Sequence, residues 1–290
     1  MKILVTGSKG QLGQEFGRIE RTSKHEFIFT DIHDFDICSK KSIKSFLNKK
    51  IDCIINCAAY TNVRNAESEK KKALKINSTG VKNLVNFCEK NCIKLVHFST
   101  DYVYNSKNLN PISEESFIDP QNYYGFSKRQ GEKHVENSNS ESIVIRTSWL
   151  YSKFGNNFVN TIIKMSKEGK DLKVIDDQFG CPTYAKDLAE TVINILDTDC
   201  KIDQKGKIYN YSNDGFTSWF EFAKIILELS GSNFNIKPIK SNYLNDKVVR
   251  PKFTVTDKSK ILEDFDIQIN NWKLSLMKYL KDDLKLNAFF

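Results

Sequence analysis

Short apolar runs along this 290-residue chain alternate with longer stretches whose apolar residues recur at helical spacing. Lys2–Thr6 is a β-branched run ended by glycine, the pattern of a buried strand. A helix is predicted over 11–21, a strand over Phe27–Thr30 and another over Cys53–Asn56. The alternation continues with a helix over 67–90, a strand over Leu95–Ser99, a helix over 124–137 and a strand over Ser142–Arg146. Strands alternating with helices of this length require right-handed crossovers and a mainly parallel sheet. After Trp149 the rhythm loosens. Helices are predicted near 156–168, 185–196 and Trp219–Leu229, with Pro238 and Pro251 punctuating the tail. No repeat or low-complexity linker separates the halves, so the second is expected to pack on the first.

Composition narrows the class. A hydrophobic share of 40% with 28% charged residues belongs to a folded globular chain, not a disordered one. No apolar run approaches the roughly 18 residues that span a membrane. The N-terminus enters motif at once, leaving no room for a signal peptide. A cytoplasmic protein without a membrane partner is expected. The net charge of +8 comes mainly from lysine. Lys70, Lys71 and Lys72 lie on a predicted helix without interleaved aromatics, so a solvated face is expected and no nucleic-acid partner. A basic surface also suits anionic small molecules. Seven cysteines form no C-x-x-C pair, and the four histidines do not fall at zinc-ligand spacing. That usage fits a reducing compartment and predicts no metal site.

Gly7, Gly10 and Gly13 form G-x-x-G-x-x-G between the first strand and the first helix, with Gln11 and Leu12 inside the turn. Glycine there lets backbone approach a pyrophosphate, and the helix N-terminus supplies free N–H donors. Asp31 ends the second strand, where a carboxylate accepts from an adenosine ribose and disfavours a 2′-phosphate. Lys9 pulls the other way, because an ammonium there can pair with that phosphate. NADH and NADPH both remain open on these residues.

Tyr124 and Lys128 stand four apart, on one face of the predicted helix. A phenol of ordinary pKa near 10 is a poor acid at neutral pH. An ammonium about 4 Å away contributes roughly 4 kcal/mol at an effective dielectric near 20, enough to bring it down by about three pH units. Thr100 lies just past the predicted fourth strand, at the edge where open parallel sheets place ligands, and offers a hydroxyl to polarise a carbonyl oxygen.

With these residues in place, the chain resembles the extended short-chain dehydrogenase/reductases, and among them the dTDP-4-dehydrorhamnose reductase family. The resemblance runs through Gly7–Gly13, Asn56–Thr61, Ala66–Glu69, Ser99–Tyr104, Tyr124–Lys128, Arg146–Trp149, Gly155–Phe158, Asp177–Thr183 and Arg250-Pro251. It implies an α/β fold: a Rossmann-type doubly wound parallel sheet with a smaller, mixed C-terminal substrate-binding lobe. Residues 1–150 would bind the dinucleotide. Residues 151–290 would mainly hold substrate, with segments near 185–215 and 250–258 returning to the first domain. Tyr124 would be the proton donor, Lys128 its modulator and ribose ligand, and Thr100 the carbonyl anchor. Asp36 and Ile37 would lie near adenine, and Ala58, Ala59 and Tyr60 along the cofactor channel. Tyr102, Trp149, Asn157 and Arg250 would face a nucleotide-sugar; Trp149 suits stacking, and equally a core position.

Two positions depart from the family. Arg64 puts a cation where a carboxylate is usual. Some members bridge two subunits through a metal held by glutamates; Glu15 is compatible with that, but Lys186 stands where a partner carboxylate would fall. No metal is therefore predicted, and a monomer or homodimer is expected. The activity implied is NAD(P)H-dependent reduction of the C4 keto group of a dTDP-linked 6-deoxy sugar, for cell-surface polysaccharide synthesis. Another nucleotide-sugar reductase, an epimerase or a non-catalytic reductase-like regulatory subunit are the alternatives. A dehydratase would carry a second carboxylate where Tyr102 stands.

Overall fold

The inner strands of the N-terminal half are buried on both faces, which is why each reads as a continuous apolar run. The computed structural model describes residues 1–105, 109–169, 171–198, 206–244 and 248–286; Cys200 lies outside them. Six strands, β1 (Lys2–Thr6), β2 (Glu26–Phe29), β3 (Cys53–Asn56), β4 (Lys94–Thr100), β5 (Ser142–Thr147) and β6 (Lys207–Asn210), form one sheet. All neighbours are parallel, in the order β2-β1-β3-β4-β5-β6. The chain leaves β1 toward β2 on one side and returns to β3 on the other. That reversal opens a crevice beyond the carboxyl ends of β1 and β3.

Helices cover both faces. On one, α1 (Gln11–Ile19) packs on a later helix, Ala185–Asp197, above Ile3, Val5, Val96 and Ile145. On the other lie α2 (Val81–Asn91) and α3 (Tyr123–Glu136), above Leu4, Ile54, Leu95 and Val144. The fold is thus the Rossmann-like α/β class. A second core, built on Tyr151, Tyr184, Phe222, Trp272 and Tyr279, holds the C-terminal lobe. The lobe is mixed: 172–175 pairs in parallel with 236–239, whereas 179–180 pairs antiparallel with 217–218.

The stretch read as one helix over 67–90 is interrupted. Helical turns at Val63–Ala66 and Lys70–Leu74 lead into a π-helical turn, Lys75–Gly80, before α2. The widened turn carries Asn77, whose amide accepts from Tyr60 N at 2.8 Å and donates to Tyr60 O at 2.9 Å and to Ser127 Oγ at 2.9 Å. One buried side chain thereby fixes the loop after β3 and the start of α3. Among the described residues no helix is long and apolar enough to cross a membrane.

Candidate active site

A cavity of about 930 Å³ opens along the carboxyl edge of the sheet. One end is floored by Gly7, Gly10, Gln11, Leu12 and Gly13. Gly7 sits at φ +61, and a Cβ there would lie 2.7 Å from the Ala58 backbone nitrogen, so only glycine closes the turn. The N-cap of α1 is Gly10, which offers no side chain to the first-turn N–H groups, and that turn holds no acidic residue. Those donors fit an anion such as a pyrophosphate. Asp31, Asp36, Ile37, Ala58 and Ala59 line the same end. Asp31 accepts from Lys9 N at 3.1 Å and from Ile32 N at 2.8 Å, which fixes its carboxylate at the rim. Lys9 and Lys75 line that rim too.

The far wall brings together Thr100, Tyr102, Tyr124, Lys128 and Trp149. Asn122 caps α3 by accepting from Gly125 N at 2.9 Å, so Tyr124 and Lys128 enter in the first two turns. Lys128 is 3% exposed and donates to the Phe98 carbonyl at 2.6 Å. Burial lowers its ammonium to about 8, against the opposing pull of Glu132 and Cys57. Burial pushes Tyr124 up to about 12; the Thr100 hydroxyl draws it down and Asp101 raises it. The expected lowering of the phenol by Lys128 is therefore not the arrangement found. A buried ammonium takes an available acceptor, and here the Phe98 carbonyl supplies it.

Three residues assigned to the site from the sequence stand beside the cavity without lining it. Tyr60 is buried outside the cavity wall, its backbone held by Asn77. Asn157 caps the helix Phe158–Lys167 by accepting from Asn160 N, and donates to Gln11 Oε1 at 3.1 Å and Ser152 O at 2.6 Å; its neighbour Asn156 lines the cavity. Arg250 stands behind the wall, its guanidinium on the Tyr102 hydroxyl. Trp149 lines the cavity but already stacks on Trp219, with ring centroids 3.4 Å apart and planes 9° from parallel.

Other residues on the wall carry no spacing signal. Trp219 is one, brought from 70 positions downstream. Asp101, within the Ser99–Tyr104 segment but given no role from the sequence, also lines the wall and is 2% exposed. Of the two departures, Arg64 is exposed on the short helix beside the cavity-lining Val63, and Lys186 pairs with Glu190 at 3.7 Å. Glu15 is fully buried and bonded to Ser152 Oγ at 2.7 Å and Arg18 Nη1 at 2.9 Å.

Comparison with known proteins places the chain in a family. The family profile described as RmlD substrate binding domain matches residues 1–285. The chain is 36% identical over 282 residues to the spore coat polysaccharide biosynthesis protein SpsK of Bacillus subtilis, covering 97% of each chain. Among solved structures, a dTDP-4-dehydrorhamnose reductase from Clostridium acetobutylicum superposes with a TM-score of 0.91 at 36% identity, covering 99% of this chain and 100% of that one. A dTDP-4-dehydrorhamnose reductase from Bacillus anthracis, in complex with NADP, gives a TM-score of 0.91 at 32% identity, covering 97% and 99%. By profile, sequence and fold together, the chain belongs to the dTDP-4-dehydrorhamnose reductase (RmlD) family.

Proposed function

We propose that this protein reduces the C4 keto group of a dTDP-linked 6-deoxy sugar, dTDP-4-dehydrorhamnose to dTDP-rhamnose, with NADPH or NADH. The observation that carries the reading is one cavity joining an uncapped helix N-terminus behind Gly7 to a wall of Thr100, Tyr124 and Lys128. When bound, the dinucleotide supplies the hydride. The turn from Gly7 to Gly13 would hold its pyrophosphate, with Asp31, Asp36 and Ile37 toward the adenosine and Lys128 on the other ribose. Thr100 would hold the keto oxygen, and Tyr124 would protonate that oxygen as it becomes an alkoxide. An alkoxide is a stronger base than a phenolate, so a phenol held near 12 still gives up its proton to it. Tyr102 and Trp149 would face the sugar, and Arg250 would act through Tyr102. Residues 1–150 would form the dinucleotide-binding part and the lobe after 150 would hold the nucleotide-sugar. A cytoplasmic monomer or homodimer, without nucleic-acid or membrane partners, completes the reading.

The test is NADPH consumption with dTDP-4-dehydrorhamnose prepared in situ, wild type beside Tyr124→Phe. Wild-type turnover should fall by about 10²–10⁴-fold in the variant, with NADPH affinity unchanged. A wild type that binds both ligands without turnover would overturn the reading in favour of a binding subunit.

A further inference from the structure

Asp101 follows Thr100 at the end of β4, in a single 3₁₀ turn that also holds Tyr102. Its side chain is buried in the cavity wall. Thr100 Oγ1 donates to Asp101 Oδ1 at 3.0 Å and accepts from Tyr102 N at 3.2 Å. Asp101 Oδ2 is buried without a close hydrogen-bond partner; the Thr254 hydroxyl lies near the carboxylate and is also 3.4 Å from the Phe179 carbonyl. A threonine hydroxyl carries one proton. While Asp101 is ionised, that proton points to the carboxylate rather than to the adjacent Tyr124 phenol or to a keto oxygen.

We propose that Asp101 is a positioning residue that sets the direction of the Thr100 hydroxyl, turning it toward the keto oxygen only when the Asp101 carboxyl carries a proton. The proposal rests on Thr100 being the carbonyl anchor of the reduction. In the protonated state the Asp101 O–H donates to Thr100 Oγ1, whose second lone pair still receives the Tyr102 N–H. The threonine O–H then rotates into the cavity. The acid keeps its proton throughout, and the proton added to the alkoxide comes from Tyr124, so the balance of the reduction is unchanged.

The surroundings favour such a gate. Burial holds the Asp101 carboxyl up at about 6, against the hydroxyls of Thr254 and Thr100 and the backbone N–H groups of its own turn. The titratable groups around it are Tyr102, which follows it in the chain and bears the Arg250 guanidinium, Tyr124 on α3, and Cys181 from the C-terminal lobe, itself influenced by Lys258. A ligand bringing phosphate charge into the same cavity raises the carboxyl further.

The experiment is the pH dependence of kcat between about pH 5.5 and 8, with NADPH and dTDP-4-dehydrorhamnose prepared in situ, for wild type and Asp101→Asn. Wild-type kcat should fall by up to about tenfold per pH unit above its limb. Asp101→Asn, which has no proton to lose, should show no limb there while keeping its KM for NADPH and its thermal midpoint. A purely structural role would lower the rate at every pH and leave the limb in place. A limb that persists in Asp101→Asn overturns the proposal. So does a wild-type kcat that is flat over the range, a reading that needs no variant. Wild type that turns over at no pH would sink the underlying reduction as well, which separates that failure from the failure of Asp101 alone.

Discussion

Arg146 of β5 meets Glu132 of α3 through two parallel hydrogen bonds, Nε to Oε1 at 2.9 Å and Nη2 to Oε2 at 2.8 Å, with both side chains fully buried. The pair ties the helix that carries Tyr124 and Lys128 to the sheet. Burial alone would raise the Glu132 carboxyl, but Arg146, Ser99 and Arg129 outweigh it and hold it below its ordinary value. Glu132→Gln strands the Arg146 charge in the interior. The expected loss is about 3–5 kcal/mol of stability by urea unfolding. Glu132 also opposes the lowering of Lys128, one turn away. Removing its charge should move Lys128 below about 8. With the Lys128 ammonium proposed to hold the cofactor ribose, NADPH affinity should then weaken at a lower pH than in wild type. An unchanged pH dependence of NADPH binding would refute the coupling.

How much of this was legible in sequence follows from what each signal measures. The βα alternation to Arg146 was readable because buried parallel strands leave unbroken apolar runs and the covering helices leave a helical period. β6 was not, since Lys207–Asn210 earns its place only by pairing with β5, some 60 residues earlier. The glycine turn and the Tyr124–Lys128 spacing are local, so both were visible. Trp219 was not, because it joins the wall from a chain segment with no spacing to the rest; Asp101 stood in view beside Thr100, but its burial against the Thr100 hydroxyl is set by tertiary packing and carries no local signal. Asn157 shows a second, local use of a residue singled out for the site. An asparagine just before a helical run is a natural N-cap, and that is where its Oδ1 went. Lys128 shows the limit of spacing arguments: four residues put it on the face of Tyr124, yet its ammonium went to the Phe98 carbonyl.

His97 gives the fold an acid sensitivity. It is fully buried beneath α3, with Nδ1 2.9 Å from Asn56 Nδ2, while Thr6 Oγ1 donates to Asn56 Oδ1 at 2.7 Å. Burial, with the Lys128 charge adding to it, holds its pKa well below 6.5. Below pH 6.5 the unfolded chain therefore binds a proton that the folded chain refuses, so stability falls as pH falls. The slope from this residue approaches about 1.4 kcal/mol per pH unit. His97→Gln keeps an acceptor for Asn56 without the titration. Its urea midpoint should fall less than that of wild type between about pH 7 and 5. Parallel curves for the two proteins would remove His97 from the account.

Arg18 joins α1 to the C-terminal end of the chain. Its guanidinium lies 2.9 Å from Glu15 and 2.8 Å from Asp283, whose side chains are both fully buried, and Tyr184 Oη donates to Asp283 Oδ2 at 2.6 Å. Arg18→Met would leave two carboxylates facing one another without a cation. The guanidinium is partly in water, so the expected loss is about 2–4 kcal/mol, lower than for a wholly buried pair. Glu15 fixes the pH dependence. Burial raises its carboxyl above 4.5, against Ser152 and Arg18, so the folded state tolerates it better protonated than charged. A raised folded pKa contributes stability at low pH that is lost as pH rises through it. The deficit of Arg18→Met should therefore be largest near about pH 7 and shrink toward about pH 5, and adding Glu15→Gln should recover part of it at the higher pH. A deficit that is constant with pH and additive with Glu15→Gln would mean that Arg18 acts through packing of its stem alone.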